Sequence, residues 1–161
     1  MNNDELYARN WAFISNDLQK KMHDSRLLVT GCGLGSCIAY QAVRTGFGKF
    51  IVCDGDVVEL SNLNRQTFQQ SHIGLHKAIC TNEILLNINP EAEVNVVPQF
   101  LTKTELEELI PKSDLVINTI DFDHSAFIDC ITICRENKKP MLFPMNLGWG
   151  SAIYVFTPDS A

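Results

Sequence analysis

No apolar run in this chain approaches the ~18 residues that a membrane-spanning helix needs, so a helical membrane protein is excluded. Cations are scarce. The chain carries 13 Lys+Arg against 19 Asp+Glu, a formal net charge of −6, where a general nucleic-acid binder would be basic. Six cysteines are present, at 32, 37, 53, 80, 130 and 134, but none forms a Cys-x-x-Cys pair. Most sit inside apolar runs and read as reduced, mostly buried thiols, so neither a disulfide framework nor a zinc site is expected. His23, His72, His76 and His124 fall at no metal-ligand spacing and read as surface residues. No Ser/His/Asp or Cys/His arrangement for nucleophilic catalysis stands out, and there is no internal repeat, low-complexity tract or linker. The start, Met1-Asn2-Asn3-Asp4-Glu5, is polar and acidic and does not read as a secretory signal, and the reduced thiols read as those of a cytoplasmic protein.

What is present is a chain of 161 residues, the length of one domain, able to bury roughly 68–70% of its unfolded surface without staples. Residues 1–25 read as a helical lead-in, with helices over Asp4–Arg9 and Asn16–His23. From residue 26 short apolar runs alternate with helical patterns. Strands are expected at Arg26–Thr30, Phe50–Asp54, Glu93–Val97 and Asp114–Thr119, then at Pro140–Phe143 and Ala152–Phe156. Helices are expected from Gly35 to a stop at Gly46-Phe47-Gly48, from His72 to Asn89-Pro90, around Thr104–Ile110 with a cap at Thr102 or Thr104, and over Ser125–Glu136. This alternation predicts an α/β fold: a Rossmann-like, doubly wound, mainly parallel sheet with a C-terminal strand extension and ligands at the carboxyl ends of the strands.

Two segments carry chemistry. Gly31-x-Gly33-x-Gly35 ends the first strand and opens a helix, where glycines let backbone approach a phosphate and the helix N-terminus supplies free N–H groups. Asp54 follows Gly31 by 23 residues, at the end of the next strand, where a carboxylate accepts ribose hydroxyls. A tight packing turn without ligand has the same glycines, so the turn alone is weak. The second segment, Asp54-Gly55-Asp56-Val57-Val58-Glu59-Leu60-Ser61-Asn62-Leu63-Asn64-Arg65-Gln66, leaves the same strand end. Its Arg65 can fork onto phosphate oxygens. Lys77 stands at a helix start, unfavourable with the helix dipole unless a phosphate offsets it, although a solvated lysine costs little. Asp121 closes the fourth strand and is either a Mg²⁺ ligand or a cap for the next helix, and Asp123 fits the cap better. Together these residues suit a triphosphate attacked at its α-phosphorus. A hydride-transferring, NAD-dependent oxidoreductase would use the turn and Asp54 but leave Asn62, Arg65 and Lys77 without a role.

The chain resembles the ThiF/MoeB/HesA family of adenylating enzymes, relatives of the ubiquitin-activating enzymes, from about Tyr7 to Phe156. The matching motifs are Asp54 to Gln66, Gly74-Leu75-His76-Lys77-Ala78, Asn89-Pro90, Asp114 to Asp121, and Tyr7-Ala8-Arg9 with Gln19. The resemblance implies ATP and Mg²⁺, with Asp54 on the ribose, Asn62 and Arg65 on the phosphates, Lys77 on the α- and β-phosphates and Asp121 on the metal. Gly31, Gly33, Gly35 and Asp56 complete the nucleotide site. Arg9 would reach the phosphates of the other subunit of a homodimer. The implied reaction is adenylation of a carboxylate at the C-terminus of a small ubiquitin-like or sulfur-carrier protein. Two of the family's four turn glycines are here Thr30 and Cys32. They leave room for a third reading, a non-catalytic dimerisation or partner-binding module, and a phosphate-facing turn would lower the pKa of Cys32. The zinc-binding and catalytic-cysteine segments of relatives would lie beyond Ala161.

Overall fold

A computed structural model describes residues 3–159, with side chains from Glu5 onward. Met1, Asn2, Ser160 and Ala161, the ends of the expected 1–161 domain, lie outside the described residues. The strands are β1 (Arg26–Val29), β2 (Lys49–Cys53), β3 (Glu93–Val97), β4 (Leu115–Ile117), β5 (Met141–Leu147) and β6 (Gly150–Phe156). They form one sheet in the order β3-β2-β1-β4-β5-β6. All neighbours are parallel except β5 and β6, an antiparallel pair from Met141↔Phe156 to Leu147↔Gly150. The helices are α1 (Asn3–Leu6), α2 (Asn16–Asp24), α3 (Leu34–Thr45), α4 (Lys77–Ile88), α5 (Lys103–Leu109) and α6 (Ser125–Glu136).

Period-2 alternation divides the core. Leu27, Val29, Phe50 and Val52 face α3 and α4, joining Ala39, Val43, Ala78 and Leu85. Leu28, Ile51, Cys53 and Val116 face the opposite side, with Leu106, Ile110, Cys130 and Ile133 of the α5 and α6 layer. Both faces of the parallel sheet are therefore covered, which is why its central strands β1, β2 and β4 read as apolar runs, while the edge strand β3 alternates. On the helices Ile79 and Ile128 turn outward, at 46% and 59% exposure, and so belong to no core face.

Several expectations change. The helix expected over Asp4–Arg9 ends at Leu6, and Ala8–Asn10 is a 3-10 turn. The helix expected from His72 starts at Lys77, and Gln70–His72 is a separate 3-10 turn. Gly74 at φ +85° breaks the segment, and Val58 and Gly74 pair it with the loop after β2 through Val58 N–H to Leu75 O and Gly74 N–H to Val58 O, each 2.8 Å. His72 is buried rather than superficial, its Nδ1 accepting from Gln69 N–H at 3.1 Å. Asp123 does not cap α6, because the N-cap is His124, which makes no side-chain cap bond. The cap of α5 is Thr102, in a reciprocal box with Glu105.

The lead-in is clasped to the far end of α3. Tyr7 is buried, and its hydroxyl donates to Val43 O at 2.9 Å and accepts from Asn89 Nδ2 at 3.3 Å. Asn10 and Gln19 both donate to Thr45 O, at 3.0 and 3.1 Å. They satisfy a carbonyl that the helix terminus leaves free.

Candidate active site

Strand order reverses between β1 and β4, so the chain leaves their carboxyl ends to opposite faces and opens a crevice there. Gly31 lies at its floor. A Cβ added there would stand 2.8 Å from Thr119 O, so only glycine permits this approach of β1 to the segment after β4. Gly33 is the N-cap of α3, and Gly35 sits inside its first turn. Thr30 and Cys32, where relatives carry glycine, turn their side chains into the protein. Thr30 Oγ1 accepts from Thr119 N–H at 3.2 Å and bonds Asn118 Oδ1 at 3.3 Å, stitching β1 to the β4 exit. Cys32 is fully buried with its Sγ 3.6 Å from Cys53 O. Burial and the neighbouring Asp54 carboxylate raise its thiol pKa rather than lowering it, and burial pushes the Cys53 thiol up to about 12.

Asp54 emerges from β2 and is held twice, by Cys32 N–H at 2.6 Å and by Asp56 N–H at 2.7 Å. Burial raises its pKa, and these two hydrogen bonds oppose that rise. Each carboxylate oxygen retains acceptor capacity toward the crevice. The polar run that follows folds over the crevice as 3-10 turns. Asn62 is buried, its Oδ1 accepting from Glu59 N–H at 2.9 Å. Arg65 is exposed, with Nη1 donating to Ser61 O at 2.7 Å. Lys77 is the first residue of α4 yet only 8% exposed, with Nζ on Asp56 Oδ2 at 2.9 Å. An exposed lysine, unimportant to the fold, was the expectation. Burial reverses it, because the stem is enclosed by the fold and the ammonium is held by the Asp56 carboxylate. Asp121 is exposed four residues beyond β4, and its carbonyl accepts from His124 N–H at 3.0 Å.

These residues converge. Gly31, Gly33, Asp54, Asp56, Asn62, Arg65, Lys77 and Asp121 all line one cleft of about 480 Å³, whose far wall is Phe143, Pro144, Met145 and Asn146 of β5. Gly35 lies behind the wall as packing, and Arg9, exposed in a 3-10 turn of the lead-in, is not in the lining. Sequence reasoning passed over three lining positions. Thr119 donates through Oγ1 to Gly31 O at 2.7 Å. Gln66 lines the cleft, and its buried Oε1 has no partner among the described residues. Phe100 stands near-parallel to His124, centroids 6.4 Å apart, over a side pocket of about 90 Å³ that also touches Asp54 and Asp121. Gly55 was the available signal for Phe100, because a Cβ there would lie 2.5 Å from the Phe100 ring.

The model of the ThiF family matches residues 7–161. The chain belongs to the ThiF family. The molybdopterin-synthase adenylyltransferase of Escherichia coli is 35% identical over 158 residues, which are 96% of this chain and 61% of that protein. The sulfur carrier protein ThiS adenylyltransferase of the same organism is 29% identical over 147 residues, 90% of this chain and 58% of that protein. Among solved structures, E. coli tRNA N6-threonylcarbamoyladenosine dehydratase in complex with ATP superimposes with a TM-score of 0.82 at 29% identity, covering 87% of this chain and 58% of that one. The chain thus spans about three fifths of the length of these ThiF-family relatives. The sheet order and the crevice between β1 and β4 are the Rossmann-like frame expected of the family.

Proposed function

We propose that this cleft binds ATP with Mg²⁺ and joins a carboxylate to the α-phosphorus. The supporting observation is that Gly31, Gly33, Asp54, Asn62, Arg65, Lys77 and Asp121, far apart in sequence, line one cleft at the strand-order reversal. In this reading Asp54 accepts the ribose hydroxyls, and Phe100 and His124 border the base. Gly31 and Gly33 bring main chain against the phosphates, which Asn62, Arg65 and Lys77 hold. The residues fit a triphosphate: two cations and a helix N-terminus line the same space. Among the described residues no three His, Cys, Asp or Glu groups form a metal cage. Mg²⁺ that takes most of its oxygens from phosphates and water needs only a carboxylate such as Asp121. When bound, the ion neutralises phosphate charge.

The reaction in this reading forms a bond from the carboxylate oxygen to the α-phosphorus and breaks the bond from that phosphorus to the bridging oxygen. Pyrophosphate leaves with the electron pair. An anion approaches an anionic phosphate, so the barrier is largely electrostatic, and Arg65 and Lys77 lower it by lying where charge accumulates. No general base is required, since a carboxylate is ionised at neutral pH. The acyl partner in this reading is a small ubiquitin-like or sulfur-carrier protein, through its C-terminal carboxylate; relatives include a sulfur carrier protein ThiS adenylyltransferase and a ubiquitin-like modifier-activating enzyme. We place the protein in the cytoplasm as a homodimer. The six free thiols support a reducing compartment. Calorimetry with ATP-Mg²⁺ and with NAD, followed by pyrophosphate exchange with a small β-grasp protein ending in Gly-Gly, tests this. Binding of ATP with exchange is expected. Binding of NAD alone would replace the reading with an oxidoreductase, and binding of neither with a partner-binding module.

A further inference from the structure

We propose that Asp56 is a positioning residue that aims Lys77 into the cleft, acting through the lysine rather than on the nucleotide. The inference rests on the nucleotide reading of the cleft. Lys77 is a costly residue where it stands. Its ammonium is largely withdrawn from water, and it occupies the first position of α4, where the helix field disfavours a cation. The N-cap before it, His76, offers no side-chain bond. Asp56 supplies what is missing at both ends of the lysine. Its main-chain carbonyl accepts Lys77 N–H at 2.9 Å, which fixes the start of α4. Its carboxylate accepts Lys77 Nζ at 2.9 Å, which fixes the tip of an otherwise free four-carbon stem.

The Asp56 carboxylate is 53% exposed while the Lys77 side chain is 10% exposed. The pair is therefore open on its acidic side, and both residues line the cleft. The ammonium is thereby held at a fixed place in the cleft lining, where a phosphate bound in the cleft would reach it. Asp56 is in turn tied to Asp54 by its own N–H at 2.7 Å. The turn Asp54-Gly55-Asp56 thus links the ribose-side carboxylate to the phosphate-side lysine in one rigid chain of contacts.

Steady-state exchange and ATP calorimetry on Asp56→Asn, Asp56→Glu, Lys77→Ala and the Asp56→Asn/Lys77→Ala double variant test the proposal. For Asp56→Asn the expected result is a loss of about tenfold or more in exchange rate at saturating ATP, with ATP Kd changed by no more than about threefold. The double variant should be no slower than Lys77→Ala alone, since both changes remove one interaction. Asp56→Glu should recover part of the rate. A Kd raised about tenfold with an unchanged saturated rate would make Asp56 a nucleotide contact and overturn the proposal, as would losses that multiply in the double variant. A second readout separates this from failure of the nucleotide reading itself. The 15N signal of Lys77 Nζ in the nucleotide-free protein should show a slowly exchanging, hydrogen-bonded ammonium that disappears in Asp56→Asn. If the wild type neither binds nor exchanges ATP, the functional reading fails, and an Nζ signal unchanged in Asp56→Asn would by itself refute positioning.

Discussion

Gly35 shows how little freedom the turn leaves at single positions. A Cβ there would stand 2.5 Å from Val29 Cγ1 and 2.8 Å from Thr119 Oγ1, so α3 packs on β1 with no side chain between them. Gly35→Ala forces overpacking and should cost about 1–3 kcal/mol, read as a lower urea midpoint at unchanged slope. Asp54 shows the opposite tension, a carboxylate held for function against its own burial. Its folded pKa is raised above the ordinary 3.8, so its protonated form is favoured by folding and its ionised form is disfavoured. The stability this group contributes is therefore present at low pH and lost as pH rises through the raised value. Compared with the non-titrating Asp54→Asn, wild type should gain stability as pH falls from neutral toward 3.8, measured by paired denaturant curves. Being exposed, Asp121 should tolerate Asp121→Asn with a stability change within about 0.5 kcal/mol, while Mg²⁺-dependent exchange falls by about tenfold or more. Retained exchange would remove it from the metal role.

At the level of elements, local signals were legible where they agreed with the fold. The apolar runs of β1 to β4 and the Asn89-Pro90 stop of α4 sit within a residue or two of their expected places, because each is set by periodicity and a breaker. Most of the proposed cleft was legible from local signals: Gly31 and Asp54 follow strand ends, Arg65 lies in the polar run after β2, and Lys77 opens a helix. The start of α4 was hidden because Leu75 and Gly74 pair with Val58, a contact made across the chain. The length of β5 was hidden by Pro144. Leu142 turns its carbonyl toward β4, accepting from Asn118 N–H at 2.9 Å. Pro144, two residues on, turns its nitrogen to the same side, past the last β4 partner, and costs the ladder nothing there. The pairing of Lys77 with Asp56 could not be read either, since nothing in the spacing says which acid meets the lysine. The lead-in clasp is a test of an element held by hydrogen bonds. Tyr7→Phe deletes the bond to Val43 O and strands Asn89 Nδ2 in the interior, so it should cost about 1–3 kcal/mol by denaturant titration.

At the scale of the whole molecule, the position of Arg9 decides how many chains make one site. Tyr7 and Asn10 on either side of it are tied to Val43 O and Thr45 O, at the C-terminal end of α3. The cleft lies at the N-terminal end of the same helix, beside Gly33. The 12 residues of α3 span roughly 18 Å at 1.5 Å per residue, farther than an arginine side chain extends. Arg9 therefore serves a cleft, if it serves one, from another copy of the chain. In a two-fold dimer each cleft would then take Lys77 from one subunit and Arg9 from its partner. A cation brought to a transferring phosphate in this way is worth several orders of magnitude in rate. Arg9→Ala and Lys77→Ala should each cut pyrophosphate exchange to a small but measurable fraction of wild type. Mixed in equal amounts and allowed to re-equilibrate, the two impaired proteins should recover up to about a quarter of wild-type activity. Half the dimers are then hybrids, and each hybrid has one intact site of two. Sedimentation of the wild type should give a dimer. A monomer, or a mixture no more active than its parts, would assign Arg9 to the lead-in surface and make each cleft the work of one chain.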